Sequence, residues 1–222
     1  MTQFVLPGAS DRTIVIGGTG TGKTVAGAWL LSKQRFDKRP WVAIDFKDET
    51  LWDQVGDPPM RDLKLGAMPG KKGLYRMRVD PWQEDALEDW LKDIWRRGNC
   101  GIFVDEVGLI DRNSEAMKAI LRQGRSMLIP VIACTQRPVD ICREFYSESQ
   151  YKMIFRLDDL RDYKTVHMFT GGFDVSKPLP EHSSYWIDTR QRAQWIMKPT
   201  PPPKEIARQL RENVPYSFSL FG

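Results

Sequence analysis

The chain carries Gly17-Gly18-Thr19-Gly20-Thr21-Gly22-Lys23-Thr24, a match to the pattern G-x-x-x-x-G-K-[ST]. Just before it, Thr13-Ile14-Val15-Ile16 is a β-branched apolar run that reads as a buried strand. Just after it, Val25-Ala26-Gly27-Ala28-Trp29-Leu30-Leu31 reads as a helix with an apolar face. Strand, glycine-rich turn and helix in that order make a phosphate loop. The glycines let successive N–H groups turn inward, and the helix N-terminus adds partial positive charge. Lys23 is then placed to neutralise β- and γ-phosphate oxygens, and the Thr24 hydroxyl to ligate Mg²⁺. The stretch predicts a nucleoside triphosphate held by residues 17–24.

A second stretch refines the chemistry. Cys100-Gly101-Ile102-Phe103-Val104-Asp105-Glu106 is an apolar strand ending in two carboxylates. An apolar run closed by Asp-Glu is a weak pattern alone and a strong one downstream of a phosphate loop. Asp105 is expected to hold Mg²⁺ through its water shell, and Glu106 to orient and polarise the attacking water. Binding needs only the aspartate, so the adjacent glutamate predicts hydrolysis. Ile129–Cys134 reads as a further buried strand with Gln136 just past its end, where an amide can sense the γ-phosphate or hold the water. Taken alone, Gln136 also suits a turn or cap. Pro40–Phe46 is another strand, and Asp45-x-Lys47-x-Glu49 lies at its carboxyl end, the edge where open α/β sheets bind ligands; a solvated turn is the equal alternative.

Composition agrees with one α/β domain. The chain has 222 residues, 41% hydrophobic and 28% charged, enough for a packed core and too apolar for disorder. A net charge of +4 permits a nucleic-acid partner without demanding one. No apolar run approaches the length of a membrane span, and the N-terminus lacks the charged and apolar regions of a signal peptide. Cys100, Cys134 and Cys142 have no metal-site spacing and form no even framework; Cys100 and Cys134 read as small buried hydrophobes.

Between these stretches, residues 53–73 read as a loop with Lys64, Lys71 and Lys72, either an ordinary exposed loop or a contact for phosphate backbones. Gly73–Val79 reads as a short strand. Asp80-Pro81 is expected to open a helix, with Asp80 as N-cap and Gly98 as its stop. Ser114 is expected to cap the next helix, which ends in Arg122-Gln123-Gly124-Arg125. Ser184–Asp188 and Ala193–Met197 predict a hairpin. Pro199–Pro203 reads as a stiff linker, Glu205–Arg211 as a short helix, and Tyr216–Phe221 as an apolar end that docks on a neighbour or folds back. The expected division is an ATPase domain over 1–198 and a linker, helix and tail over 199–222. His167 and His182 read as structural.

The run from Arg125 to Thr135-Gln136-Arg137-Pro138 resembles the segment of the FtsK–HerA superfamily that ends in Ala-Thr-Gln-Arg-Pro. Asp45-x-Lys47 is similar to that family's Asp-Pro-Lys, and Tyr151–Val166 to its next strand and helix. The likeness spans roughly residues 11–170. It implies a RecA-like ATPase with an additional-strand, mainly parallel sheet flanked by helices, assembled as a ring, usually a hexamer, around DNA. By this resemblance Gln136 corresponds to the sensor glutamine. Arg125 corresponds to an arginine offered to the neighbouring subunit's nucleotide, with Arg122 the nearby alternative. The chain shows none of the membrane, β-barrel or DNA-reading regions that bacterial members carry. It therefore most resembles the genome-packaging ATPases of tailless, internal-membrane DNA viruses.

The resulting expectation is an ATP-driven translocase of double-stranded DNA, with Mg²⁺ and a capsid-vertex or portal protein as further partners, acting in the virion and host cytoplasm. A GTPase is disfavoured by the lack of an Asn-Lys-x-Asp motif, and a DNA-cutting terminase by the lack of clustered nuclease carboxylates. The alternative is a nucleotide-dependent assembly or morphogenesis switch that does not move DNA.

Overall fold

A computed structural model describes residues 3–56 and 59–214. In chain order the elements are β1 Arg12–Ile16, α1 Lys23–Ser32, β2 Pro40–Asp45, α2 Thr50–Val55, β3 Met60–Asp62, β4 Gly73–Arg78, α3 Glu84–Arg97, β5 Gly101–Val104 and α4 Glu115–Gln123. They continue with β6 Val131–Thr135, α5 Glu144–Ser147, β7 Tyr151–Ile154, α6 Leu160–His167, β8 Ser184–Asp188, β9 Ala193–Met197 and α7 Pro203–Asn213.

The described strands form one sheet in the order β3-β4-β2-β5-β6-β1-β7-β8-β9. From β3 to β7 every pairing is parallel, and β8 and β9 complete the sheet antiparallel. Strands buried on both faces need apolar side chains throughout, and β1, β2, β5 and β6 are buried at every position. Alternation divides those side chains between two cores. Ile14, Ile16, Val42, Ile44, Ile102 and Val104 pack with α3 and α4, while Val15, Trp41, Ala43, Phe103 and Ile132 pack with α1, α2 and α7.

The last helix belongs to the second core. Ile206, Ala207 and Leu210 are fully buried, α7 contacts α1 and α2, and Gln209 bonds Ser32 and Lys33. The helix of the tail thus folds back on its own chain; the apolar end Tyr216–Phe221 lies outside the described residues.

Two local expectations are corrected. Residues 53–73 are not all loop: α2 runs to Val55 and β3 pairs parallel with β4. Three residues are too few to show a strand period, which hid β3. The third helix starts at Glu84 and not at Pro81. Asp80 and Gln83 instead close a turn, Asp80 N–H donating to Gln83 Oε1 at 2.9 Å and Gln83 N–H to the Asp80 carbonyl at 3.0 Å. Gly98 ends that helix at φ 66°, and the Ser114 hydroxyl accepts the Met117 N–H at the start of α4, as the sequence predicts.

Candidate active site

The phosphate loop joins β1 to α1 at the carboxyl edge of the parallel strands. It hangs between two neighbours: Gly17 N–H donates to the Thr135 carbonyl at 3.2 Å and Gly18 N–H to the Arg156 carbonyl at 3.1 Å. A Cβ on Gly17 would lie 2.6 Å from Thr21 Oγ1 and 2.7 Å from Phe155 Cβ, so no larger residue fits. Gly22 takes φ 94° as it opens α1, a conformation that favours glycine. The loop shape follows from these constraints.

Lys23 is buried, and among the described residues no side chain forms a hydrogen bond or ion pair with its ammonium. Burial lowers its pKa, opposed first by the charge of Glu106. An ammonium withheld from water without a partner is costly, and bound phosphate oxygens supply the missing acceptors.

Asp105 directly follows β5 with 2% exposure, and neither carboxylate oxygen makes a hydrogen bond of good geometry. Burial pushes its pKa up to about 6, with the Thr24 hydroxyl as the main neighbour favouring the charged form. Two orphaned oxygens beside a hydroxyl suit a hard divalent cation, which binds oxygen ligands and compensates the buried charge. Asp105 and Thr24 are the residues that would hold Mg²⁺.

Glu106 is fixed from two sides. Lys47 Nζ donates to its Oε2 at 3.0 Å, and the backbone N–H of Gln136 to its Oε1 at 3.3 Å. The Gln136 side chain turns toward the phosphate loop, where its Oε1 accepts from Thr19 Oγ1 at 2.8 Å. Glu106 and Gln136 thus meet although they follow separate strands.

Asp45 has a different place from Lys47. Its carboxylate is buried against Arg76 at 2.7 Å and accepts the N–H groups of Lys47 and Glu49. Asp45 therefore shapes the turn that delivers Lys47.

Arg125 is remote from this edge. It follows α4 and precedes the amino end of β6, while the phosphate loop follows the carboxyl end of β1, the in-register partner of β6. The five residues of β1 alone separate the two ends by about 16 Å. The Arg125 side chain is exposed, without a hydrogen bond or ion pair among the described residues, whereas Arg122 pairs with Glu144. The fold thus gathers Lys23, Thr24, Asp105, Glu106 and Gln136 around residues 17–22 and leaves both arginines outside.

Two contacts escaped sequence reading. Lys47 carried a signal, being two residues past a strand end, but its partner was not evident. His182 carried none: its Nδ1 lies 3.2 Å from the Thr21 carbonyl, and its backbone holds φ 57°. With Leu179–Ser183, Thr19–Thr21, Phe155 and Arg156 it lines a cavity of about 420 Å³ beside the loop.

A phosphate loop between parallel strands, with a strand-end Asp-Glu pair facing it, defines the RecA-like class of P-loop ATPases. The chain belongs to the family of the DNA packaging ATPase P9 of Enterobacteria phage PRD1, to which it is 39% identical over 165 residues, 74% of this chain and 72% of that protein. Its fold is also similar to that of the genome packaging NTPase B204 from Sulfolobus turreted icosahedral virus 2 in complex with ATP-gammaS, with a TM-score of 0.63, 14% identity, and coverage of 87% of this chain and 99% of that one. EssC ATPases 2 and 3 from Geobacillus thermodenitrificans align at a TM-score of 0.66 and 11% identity, over 92% of this chain and 44% of theirs. At such identities these two likenesses concern fold alone. No protein-family model matches the chain.

Proposed function

We propose that this protein is a viral genome-packaging motor that hydrolyses Mg-ATP at the subunit interfaces of a ring, a hexamer by its family resemblance, and drives double-stranded DNA along its backbone without reading sequence. The observation that carries the reading is the division of the catalytic set. Lys23, Asp105, Glu106 and Gln136 converge on one sheet edge, while the Arg125 side chain stands exposed and unpaired beyond the other, too far away to serve the phosphate loop of its own subunit. The name of the P9 relative supports DNA as the cargo. The same reading puts the motor in the host cytoplasm and virion, against a capsid-vertex or portal protein.

The chemistry is in-line attack of water on the γ-phosphate. Residues 17–22 hold the phosphates through backbone N–H groups, and Lys23 neutralises developing charge on the β/γ oxygens. Glu106, oriented by Lys47 and the Gln136 N–H, accepts a hydrogen bond from the water and receives its proton. The Gln136 amide fixes the γ-phosphate side, and Arg125 of the adjacent subunit completes the charge stabilisation. Thr24 and Asp105 would hold Mg²⁺, which would supply Lewis-acid neutralisation of charge. The cavity beside Thr19–Thr21 receives the ribose and base.

ATP turnover with and without double-stranded DNA, at low and moderate salt, tests the proposal beside Glu106→Gln. Stimulation by DNA that weakens with salt and vanishes in the variant is the expected result. Turnover indifferent to DNA in every condition overturns it and favours an assembly switch.

A further inference from the structure

Arg39 stands immediately before β2, at the sheet edge opposite the phosphate loop, and only 8% of it is exposed. No carboxylate pairs with its guanidinium among the described residues. Instead its Nη1 donates to two backbone carbonyls, those of Leu128, at 2.8 Å, and of Ala9. A guanidinium buried without a counterion is an expensive way to satisfy two carbonyls, so the geometry it fixes matters to the fold or to its use.

Leu128 belongs to the turn that carries Arg125, its N–H donating to the Arg125 carbonyl at 3.3 Å. Leu128 has φ 55°, a strained conformation for a leucine that persists only where its surroundings over-determine it. Those surroundings are visible. Asn99 N–H donates to the Met127 carbonyl at 2.8 Å, and Ile129 N–H to the Gly124 carbonyl at 2.7 Å. A Cβ on Gly98 would lie 2.8 Å from the Met127 carbonyl oxygen, so the end of α3 presses directly on the turn. These contacts all fall on the backbone of the turn. The side chains of Arg125 and Ser126 are exposed, and the nearby cation of Arg12 offers Arg125 no attraction back toward the body of the protein.

We propose that Arg39 is a positioning residue for Arg125: by clamping the Leu128 carbonyl it holds the 124–129 turn rigid, so that Arg125 reaches the neighbouring subunit's nucleotide at a fixed distance. This rests on the reading of Arg125 given above. Charge stabilisation by an arginine falls steeply with misplacement, and a turn left free to relax Leu128 out of its left-handed conformation would move the Arg125 backbone. Arg39 thus acts on a reaction in another copy of the chain while touching neither nucleotide.

The test is subunit mixing. Arg39→Gln is expected to lower kcat about 10- to 100-fold with KM for ATP little changed, and Arg39→Lys, which can still donate to a carbonyl, to recover part of the loss. Mixed with Glu106→Gln protein, itself inactive, Arg39→Gln protein is expected to regain turnover, because its intact Glu106 then meets an intact turn from the neighbour. Arg125→Ala mixed with Glu106→Gln is the control. If that control regains turnover and the Arg39→Gln mixture does not, Arg39 acts within its own subunit and the inference is overturned. If neither mixture recovers, the trans reading of Arg125 itself fails, and this inference with it. Unchanged kcat in a folded Arg39→Gln also overturns it; should that variant melt below assay temperature, Arg39→Lys is mixed in its place and judged by the same outcomes.

Discussion

Lys47 Nζ lies 3.0 Å from Glu106 Oε2, joining the turn after β2 to the end of β5. The lysine side chain is about one-third exposed and the glutamate side chain only 10%, so solvent screens the pair from one side. Its effect is therefore geometric: it leaves Glu106 one orientation.

Lys47→Met is expected to lower kcat about tenfold or more, with the KM for ATP nearly unchanged, since the lost contact orients a group that acts in the transition state. Steady-state kinetics with a melting curve decide the matter. A folded variant with wild-type kcat would show that the Gln136 N–H alone suffices.

His182 bears on nucleotide affinity. His182→Ala removes the contact to Thr21 and leaves a residue with a Cβ at φ 57°, whereas His182→Asn keeps an amide donor and tolerates that backbone better. Alanine is expected to raise the KM for ATP several-fold with kcat held, and asparagine to restore it. Equal KM values in all three proteins would make His182 a bystander.

Gly27 sits inside α1, where alanine would ordinarily add about 1 kcal/mol of helix stability. Here its Cβ would meet Cys134 Sγ at 2.5 Å and Phe103 Cε2 at 3.0 Å. Overpacking of that kind costs about 1–3 kcal/mol and should win. Gly27→Ala is expected to be less stable in urea, and adding Cys134→Ala to recover much of the loss; a stabilised single variant would contradict the crowding.

Lys152 is buried in β7 with the Ser149 carbonyl as its hydrogen-bond acceptor at 2.9 Å, and desolvation lowers its pKa from 10.5 to about 8. Below pH 8 the lysine is charged in both states and folding bears the full burial penalty. Between about 8 and 10.5 the unfolded chain holds a proton that the folded one has released, so stability climbs with pH through that window. Lys152→Met should therefore be more stable than the parent at neutral pH, by an amount on the order of 1–3 kcal/mol. Denaturation of both proteins at neutral pH and near the top of the window should show the gap closing.

Local chemistry was legible in the sequence. Gly22, Gly98 and Ser114 could be read because a positive φ or a cap restricts which residue can stand there. The strands buried on both faces announced themselves as unbroken apolar runs. Asp80 misled because an Asp-Pro start is also the chemistry of a turn, and Gln83 closes that turn with its side chain. The contacts of Lys47 and His182 could not be read, since their partners lie 59 and 161 residues away and meet them only through strand order. Sequence resemblance pointed to Arg125 with Arg122 as the nearby alternative; that Arg122 is tied up in an ion pair with Glu144 was not legible in it.

The suspension of Gly17 and Gly18 from the ends of β6 and β7 has a mechanical meaning. β7 is also the strand on which β8 and β9 hang. Backbone hydrogen bonds alone therefore connect the hairpin, through β7 and the Arg156 carbonyl, to Gly18 of the phosphate loop. Substitution on the hairpin's outer face, at the exposed Ile196 for instance, can change what the hairpin meets while leaving that backbone connection intact. The hairpin's outer surface and its connection to the phosphate loop are thus free to vary independently.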